Sequence, residues 1–173
     1  ENSFYAVGWD ITEGKQAADD LRKLSRAVEQ SSNAVFITDT DGTIEYINSK
    51  FTALTGYKRE EVIGQNPRIL KSGDTPENVY VEFWDTIKNN GEWKGEMKDR
   101  HKNGELFWVY ETVSPVMNDN NKITHYVATH EDISERKAAE LATQNALEQA
   151  EEANRAKSDL MANMSHELRT PLN

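Results

Sequence analysis

From Ser134 to its end the chain contains no glycine and a single proline, Pro171, so nothing before Pro171 in that stretch interrupts a helix. Such a helix runs for about 35 residues, near 50 Å at 1.5 Å per residue. With 173 residues in all, the chain has room beside it for one domain of ordinary size and a further helical segment. Ala139, Thr143, Ala146, Ala150, Ala153, Lys157, Leu160 and Met164 recur at alternating spacings of four and three, which is a heptad seam. Alanine dominates this seam, and Thr143 and Lys157 are polar, so each layer buries little apolar area and pairing through it is expected to be marginal, as suits a switch. The alternative is an ordinary solvated helix whose alanines reflect helix propensity alone.

The rest of the composition removes whole classes of function. A formal net charge of −10, from 30 acidic and 20 basic residues with no Lys/Arg stripe, argues against a nucleic-acid partner. Cysteine is absent, which excludes disulfides, thiolate metal sites and cysteine chemistry and agrees with a reducing cytoplasm; no metal is expected. No apolar stretch approaches the roughly 20 residues of a membrane-spanning helix, and the first residues are not a signal peptide, so any membrane anchor is expected outside this segment.

An internal similarity organises the chain. Phe4 to Glu13 and Tyr126 to Glu135 both close on Asp-Ile-Thr/Ser-Glu, with Asp10 and Asp132 lying 132 − 10 = 122 residues apart. That offset is one domain plus a linker helix, so residues 1–13 are expected to be the last strand of an upstream copy. A linker helix over 14–33 follows, with Ala17, Leu21, Leu24, Val28 and Ser31 as a short coiled-coil seam.

From Ala34 the period changes. Val35 to Thr40 and Thr43 to Ile47 read as strands joined by the turn dipeptide Asp41-Gly42. Short helices are expected over Ser49 to Leu54 and Arg59 to Val62, then a longer one from Pro76 to Lys88 with Thr75 as candidate cap. Glu92 to Arg100, Leu106 to Met117 and Ile123 to Ile133 are β-rich runs separated by turn sequences. The order predicts an α+β domain over 34–133, a five-stranded antiparallel sheet with helices on one face, flanked by N-terminal and long C-terminal coiled-coil helices.

Asp41-Gly42-x-Ile44-x-Tyr46-x-Asn48, Leu54-Thr55-Gly56-Tyr57, Glu61-x-Ile63-Gly64 and Glu131-Asp132-Ile133-Ser134 together resemble the motifs of a PAS domain. The segment from Lys157 to Asn173, with Ser165-His166-Glu167-Leu168-Arg169-Thr170-Pro171-Leu172-Asn173 at its centre, resembles the first dimerisation helix of sensor histidine kinases. The resemblance implies a PAS sensor, a signalling helix over 134–157 and the start of a phospho-acceptor domain at 158–173. In such a kinase His166 is the nucleophile that takes the γ-phosphate of ATP, and Glu167 is the general base beside it. Thr170, four residues on, positions water for dephosphorylating a receiver, and Pro171 bends the helix. Asp132 and Ile133 form the joint between sensor and output helix, with Asp10 as the counterpart in the upstream copy; Asp132 or Ser134 also suits helix capping. The partners implied are a second copy in a parallel dimer, a response-regulator receiver domain, and the kinase's own ATP-binding domain, which uses ATP and magnesium and has no counterpart in these residues.

The sensor's stimulus is less legible. Gly64 to Lys71 occupies the place where light-oxygen-voltage domains carry a reactive cysteine, and Pro67 stands there instead, which excludes a flavin-cysteinyl adduct. The positions that bond the flavin ring in that family are here Asp99, Val109 and His130 in place of amides. Pro76 to Trp84 and Trp93-x-Gly95 resemble PAS domains that hold FAD, which keeps FAD as the alternative to an absence of any cofactor. Haem is disfavoured because Thr75 to Asn89 contains no histidine, although His101, His125 and His130 are unassigned.

Strand alternation turns Asp99, Glu111 and His130 to the inner side of the sheet, where polar groups are costly unless bonded. With Arg68 they form a candidate cavity for a small polar ligand, or else they bond one another, water or the rim. Phe51, Tyr57, Phe83, Trp84 and Phe107 are expected in the core. A PAS domain serving only for dimerisation remains a further alternative.

Overall fold

The computed structural model describes the backbone of residues 3–89 and 91–169, and their side chains outside 3–13, 162 and 166–169. The chain falls into two units, Glu1–Ile133 and Ser134–Asn173.

In the first unit, helix α1 (Ser3–Glu29) leads to strands β1 (Ala34–Asp39) and β2 (Ile44–Ile47). Three short helical pieces follow, α2 (Ser49–Thr55), α3 (Arg59–Val62) and a 3₁₀ turn at Pro67–Leu70, then α4 (Glu77–Lys88). Strands β3 (Trp93–Arg100), β4 (Leu106–Met117) and β5 (Ile123–Asp132) complete a five-stranded antiparallel sheet in the order β2-β1-β5-β4-β3. The α+β architecture expected from the sequence is the one observed. The first two strands are joined through Asp39, whose carboxylate accepts from the amides of Asp41 and Thr43 at 2.9 and 2.7 Å while Gly42 takes a φ of 83°. A Cβ at Gly42 would also meet Asn66 Nδ2 at 2.7 Å.

The core lies between the inner face of the sheet and the short helices. Phe51 and Ile44 are fully buried, and the rings of Phe36 and Phe51 meet edge to face at 5.6 Å. Beside it Asn48, only 1% exposed, spends its whole side-chain bonding capacity. Its Oδ1 accepts from Val35 N and Phe51 N at 2.9 and 3.0 Å, and its Nδ2 donates to Val28 O and Asn33 O at 3.0 Å each. One amide thereby caps α2 and ties the end of α1 to β1. Glu29 strengthens the same joint, accepting from Tyr46 Oη at 2.7 Å and from Ser49 N at 3.0 Å.

Two local expectations are corrected. The stretch within 1–13 expected to be the last strand of an upstream copy is helical from Ser3 onward and belongs to α1, where backbone groups bond internally. Thr75 does not cap α4, since Pro76 holds the cap position and the Thr75 hydroxyl instead accepts from Lys98 N at 3.2 Å, pinning the loop to β3.

Over its described residues the second unit is a single helix, α5 (Ser134–Arg169), uninterrupted over 36 residues as the lack of Gly and Pro allows. Its Leu141, Leu147, Leu160 and Met164 are each more than half exposed. No described helix is long and apolar enough to cross a membrane.

Candidate functional site

Three adjacent strands each supply one ionisable side chain to the inner face of the sheet. His130 on β5 is paired across the ladder with Glu111 on β4, and Asp99 comes from β3 on the far side of β4. All three are buried, at 3%, 9% and 6% exposure. Inward-facing positions here would ordinarily be apolar, so this is a concentrated departure from the pattern that builds the rest of the core.

The geometry is a carboxyl-imidazole-carboxyl line. His130 Nε2 lies 3.1 Å from Glu111 Oε1 and His130 Nδ1 lies 3.6 Å from Asp99 Oδ2. Despite the short first distance, neither ring nitrogen has an aligned hydrogen bond, so these are ion contacts of imperfect direction. The Phe36 ring packs edge-on against the imidazole at 5.0 Å. The two acids address opposite ring nitrogens and so do not converge on one point. Among the described residues no group of three or more His, Asp or Glu is arranged to hold a metal ion.

Burial sets the charge states. Desolvation pushes the Asp99 carboxyl up to about 7, against the pull of His130 and with the help of Glu111. Burial pulls His130 down, but the charge of Glu111, its contact with the ring and the charge of Asp99 together outweigh it, so the imidazole binds its proton above the ordinary value. Asp99 and His130 therefore hold protons around neutrality more firmly than isolated side chains would.

These groups line one side of a cavity of about 460 Å³. Its other walls are aromatic and aliphatic, with Phe36, Tyr80, Phe83 and Trp84 facing it. Arg68 borders it as expected, but its guanidinium Nε donates to Asn66 Oδ1 at 3.1 Å. Lys71 is also at the border, its ammonium 3.6 Å from the centroid of the Tyr80 ring. Asp99, Glu111, His130 and Arg68 are thus brought together around one space. Asp99 and His130 face each other, and Val109 is fully buried hydrocarbon, so the polar pattern at these three places differs from the amides of the light-oxygen-voltage domains.

Aromatic residues divide between two roles. Phe51 and Phe107 are core, at 0% and 4% exposure, and Tyr57 packs against it. Phe83 also packs against the core but borders the cavity, and Trp84, expected inside, is 42% exposed at its edge. Tyr80 and Tyr126, unremarked in the sequence, are further lining residues; period-2 spacing from His130 through Ala128 to Tyr126 was the available signal for the second.

At the end of β5, Asp132 is paired with Val109, and Ile133 is buried with its amide donating to Trp108 O at 3.0 Å. One residue later α5 begins. The backbones of His166 and Glu167 are helical. The side chains of Asp10, His166 and Glu167, and all of Thr170, lie outside the described residues.

Known proteins place this architecture. A family model described as PAS domain matches residues 32–135. The nitrogen fixation regulatory protein of Klebsiella pneumoniae is 37% identical over 107 residues, covering 62% of this chain and 22% of that protein. The cell-division control histidine kinase PdhS of Brucella anthropi is 27% identical over 173 residues, covering 96% of this chain and 16% of that kinase. This chain therefore spans about a fifth or less of the length of these relatives. Among solved structures, the PAS domain of a protein from Colwellia psychrerythraea superposes with a TM-score of 0.62 at 27% identity, over 66% of this chain and 98% of that one. With strand order, family match and solved relatives in agreement, the chain belongs to the PAS domain family and is related to sensor histidine kinases and other signalling regulators.

Proposed function

We propose that this chain is the sensor and phospho-acceptor stretch of a two-component histidine kinase, in which the PAS cavity responds to a small molecule and α5 carries the response to His166. The observation that carries this reading is the direct passage from the cavity strand into an unbroken helix. His130 lies on β5, β5 ends at Asp132, and α5 runs from Ser134 to Arg169 without a break. Further support comes from the extent of similarity, since the histidine kinase of Brucella anthropi aligns over 96% of the chain and so through α5 as well as the PAS core.

In this reading a neutral imidazole nitrogen of His166 attacks the γ-phosphorus of ATP held by the kinase's own ATP-binding domain, and ADP leaves. Glu167 accepts the proton released from the imidazole. The phosphoryl group then passes to an aspartate of a receiver domain, and Thr170 orients a water that hydrolyses that aspartyl phosphate to inorganic phosphate and the free carboxylate. Two copies pair in parallel through the seam from Ala139 to Met164, and a change of PAS packing alters the register of that seam.

The test is acid-labile phosphate on His166 when the full-length kinase, or this chain supplied with the ATP-binding domain in trans, is incubated with ATP. Label that persists in His166→Gln removes the acceptor assignment. Asp132→Ala in the full-length kinase is expected to leave labelling in place but uncouple it from the stimulus, and unaltered regulation would count against the joint.

A further inference from the structure

The trio in the PAS cavity has an unbalanced charge. One imidazole carries at most one positive charge, and it faces two carboxyl groups, all in a space with little water access. A buried carboxylate is tolerated only when paired, so the second carboxyl must hold either a proton or another cation. Both nitrogens of His130 lack an aligned bond although the side chain is almost wholly buried, which leaves the polar end of the cavity incompletely satisfied.

The apolar end supplies a complementary surface. Tyr80, Phe83 and Trp84 line the same space. Tyr80 already holds an ammonium against its ring, that of Lys71, at 3.6 Å from the centroid. One ring of this wall therefore already carries a cation at the border of the space.

We infer that the cavity recognises a small organic cation, an ammonium carried on an aromatic or hydrocarbon body, with the ammonium taken by Asp99 while Glu111 stays on the opposite nitrogen of His130. This deepens the sensor reading proposed above and rests on it only for the consequence at His166. Where Asp99 still holds its proton, binding exchanges that proton for the ligand's positive charge, and the trio reaches balance without changing His130. The remaining charged groups around the space are Arg68, held by Asn66, and Lys71, held by Tyr80; both stand at the border and would favour an anion there. Tyr126 and Tyr80 complete the titratable lining.

Three probes with one indole body separate the possibilities: tryptamine, tryptophol and indole-3-acetate, titrated into the protein by calorimetry at pH 6 and pH 8. Saturable binding is expected for tryptamine, weaker binding for tryptophol, and none for the acetate. With Asp99 titrating at about 7 and the ammonium charged at both pH values, tryptamine affinity should rise about tenfold from pH 6 to pH 8. Asp99→Asn should abolish that rise, and the wild-type pH dependence stands as a test even if the variant folds poorly. Binding of indole-3-acetate equal to or tighter than that of tryptamine, a flat or falling pH dependence, or binding of none of the three overturns the inference. Tryptamine binding that leaves the labelling of His166 in the full-length kinase unchanged would count against the sensor reading and not against the cation site.

Discussion

The PAS core and α5 are nearly opposite solutions to the same problem of satisfying a backbone. In the core, backbone groups pair between strands distant in sequence, as Glu111 does with His130, and the side chains between sheet and helices are buried, Phe51 and Val109 completely. In α5 every backbone bond is local, and its large apolar side chains remain exposed: 62% for Leu141 and 61% for Leu160. The core therefore holds its own stability, while α5 has helix propensity and little packing of its own. A unit built the first way stores information in one arrangement; a unit built the second way takes its arrangement from what it pairs with.

The largest test of that contrast is Phe51→Ala. Removing a fully buried ring that meets Phe36 should cost about 3–5 kcal/mol, read as a loss of urea midpoint for the core. A cost near zero would mean that the core is not the unit that the burial pattern describes. Gly95→Ala is next, at about 1–3 kcal/mol, because a Cβ there would meet the Trp93 indole at 2.4 Å and the buried ring must move. An unchanged melting temperature would show that the indole has another place to go.

Much of this contrast was readable in advance. Strand alternation from Trp93 onward, the turns and the Gly-free run after Ser134 each state their own structure locally, so five strands and one long helix follow from pattern alone. The inward set of Asp99, Glu111 and His130 was legible for the same reason, since a period of two fixes which face a residue takes. What pattern could not give was contact between elements. The four bonds of Asn48 join α1, β1 and α2, and no local rule connects position 48 with positions 28, 33 and 35. Thr75 looked like a cap because a cap is a local feature, and it was claimed instead by Lys98 across the fold. The strand expected near Asp10 shows the reverse limit: the similarity to residues 126–135 is local, and the same pattern of residues is helical in α1.

The trio sharpens the comparison by giving the core a cost that α5 does not have. Below pH 3.8 Asp99 is protonated in folded and unfolded chains alike; from there to about 7 only the unfolded chain ionises it, so stability falls as pH rises across that window. His130 works in the same sense, since its raised value gives stability that is complete below 6.5 and lost as pH climbs through the folded value. Asp99→Asn removes the first contribution while leaving Glu111 to face the imidazole. Thermal unfolding should show the variant gaining roughly 1–2 kcal/mol on the wild type at pH 8, with the gain shrinking toward pH 5. A variant less stable than wild type at both pH values would mean that the Asp99-His130 contact outweighs the burial of the charge.

The smallest expected effect is on α5. Leu160 is on the Ala139 to Met164 seam and is 61% exposed, so truncating it removes almost no buried area from a single chain. Leu160→Ala should change the unfolding free energy of the isolated chain by less than about 0.5 kcal/mol. In a pair of chains the same side chain would occupy one layer of a seam that is otherwise alanine, Thr143 and Lys157, and would be among its few large apolar contacts. Sedimentation at rising concentration should therefore show the variant's dimer weakening while its monomer melts as before. Loss of monomer stability without any change in association would place Leu160 in packing within the chain and would remove the seam as the route by which α5 acts.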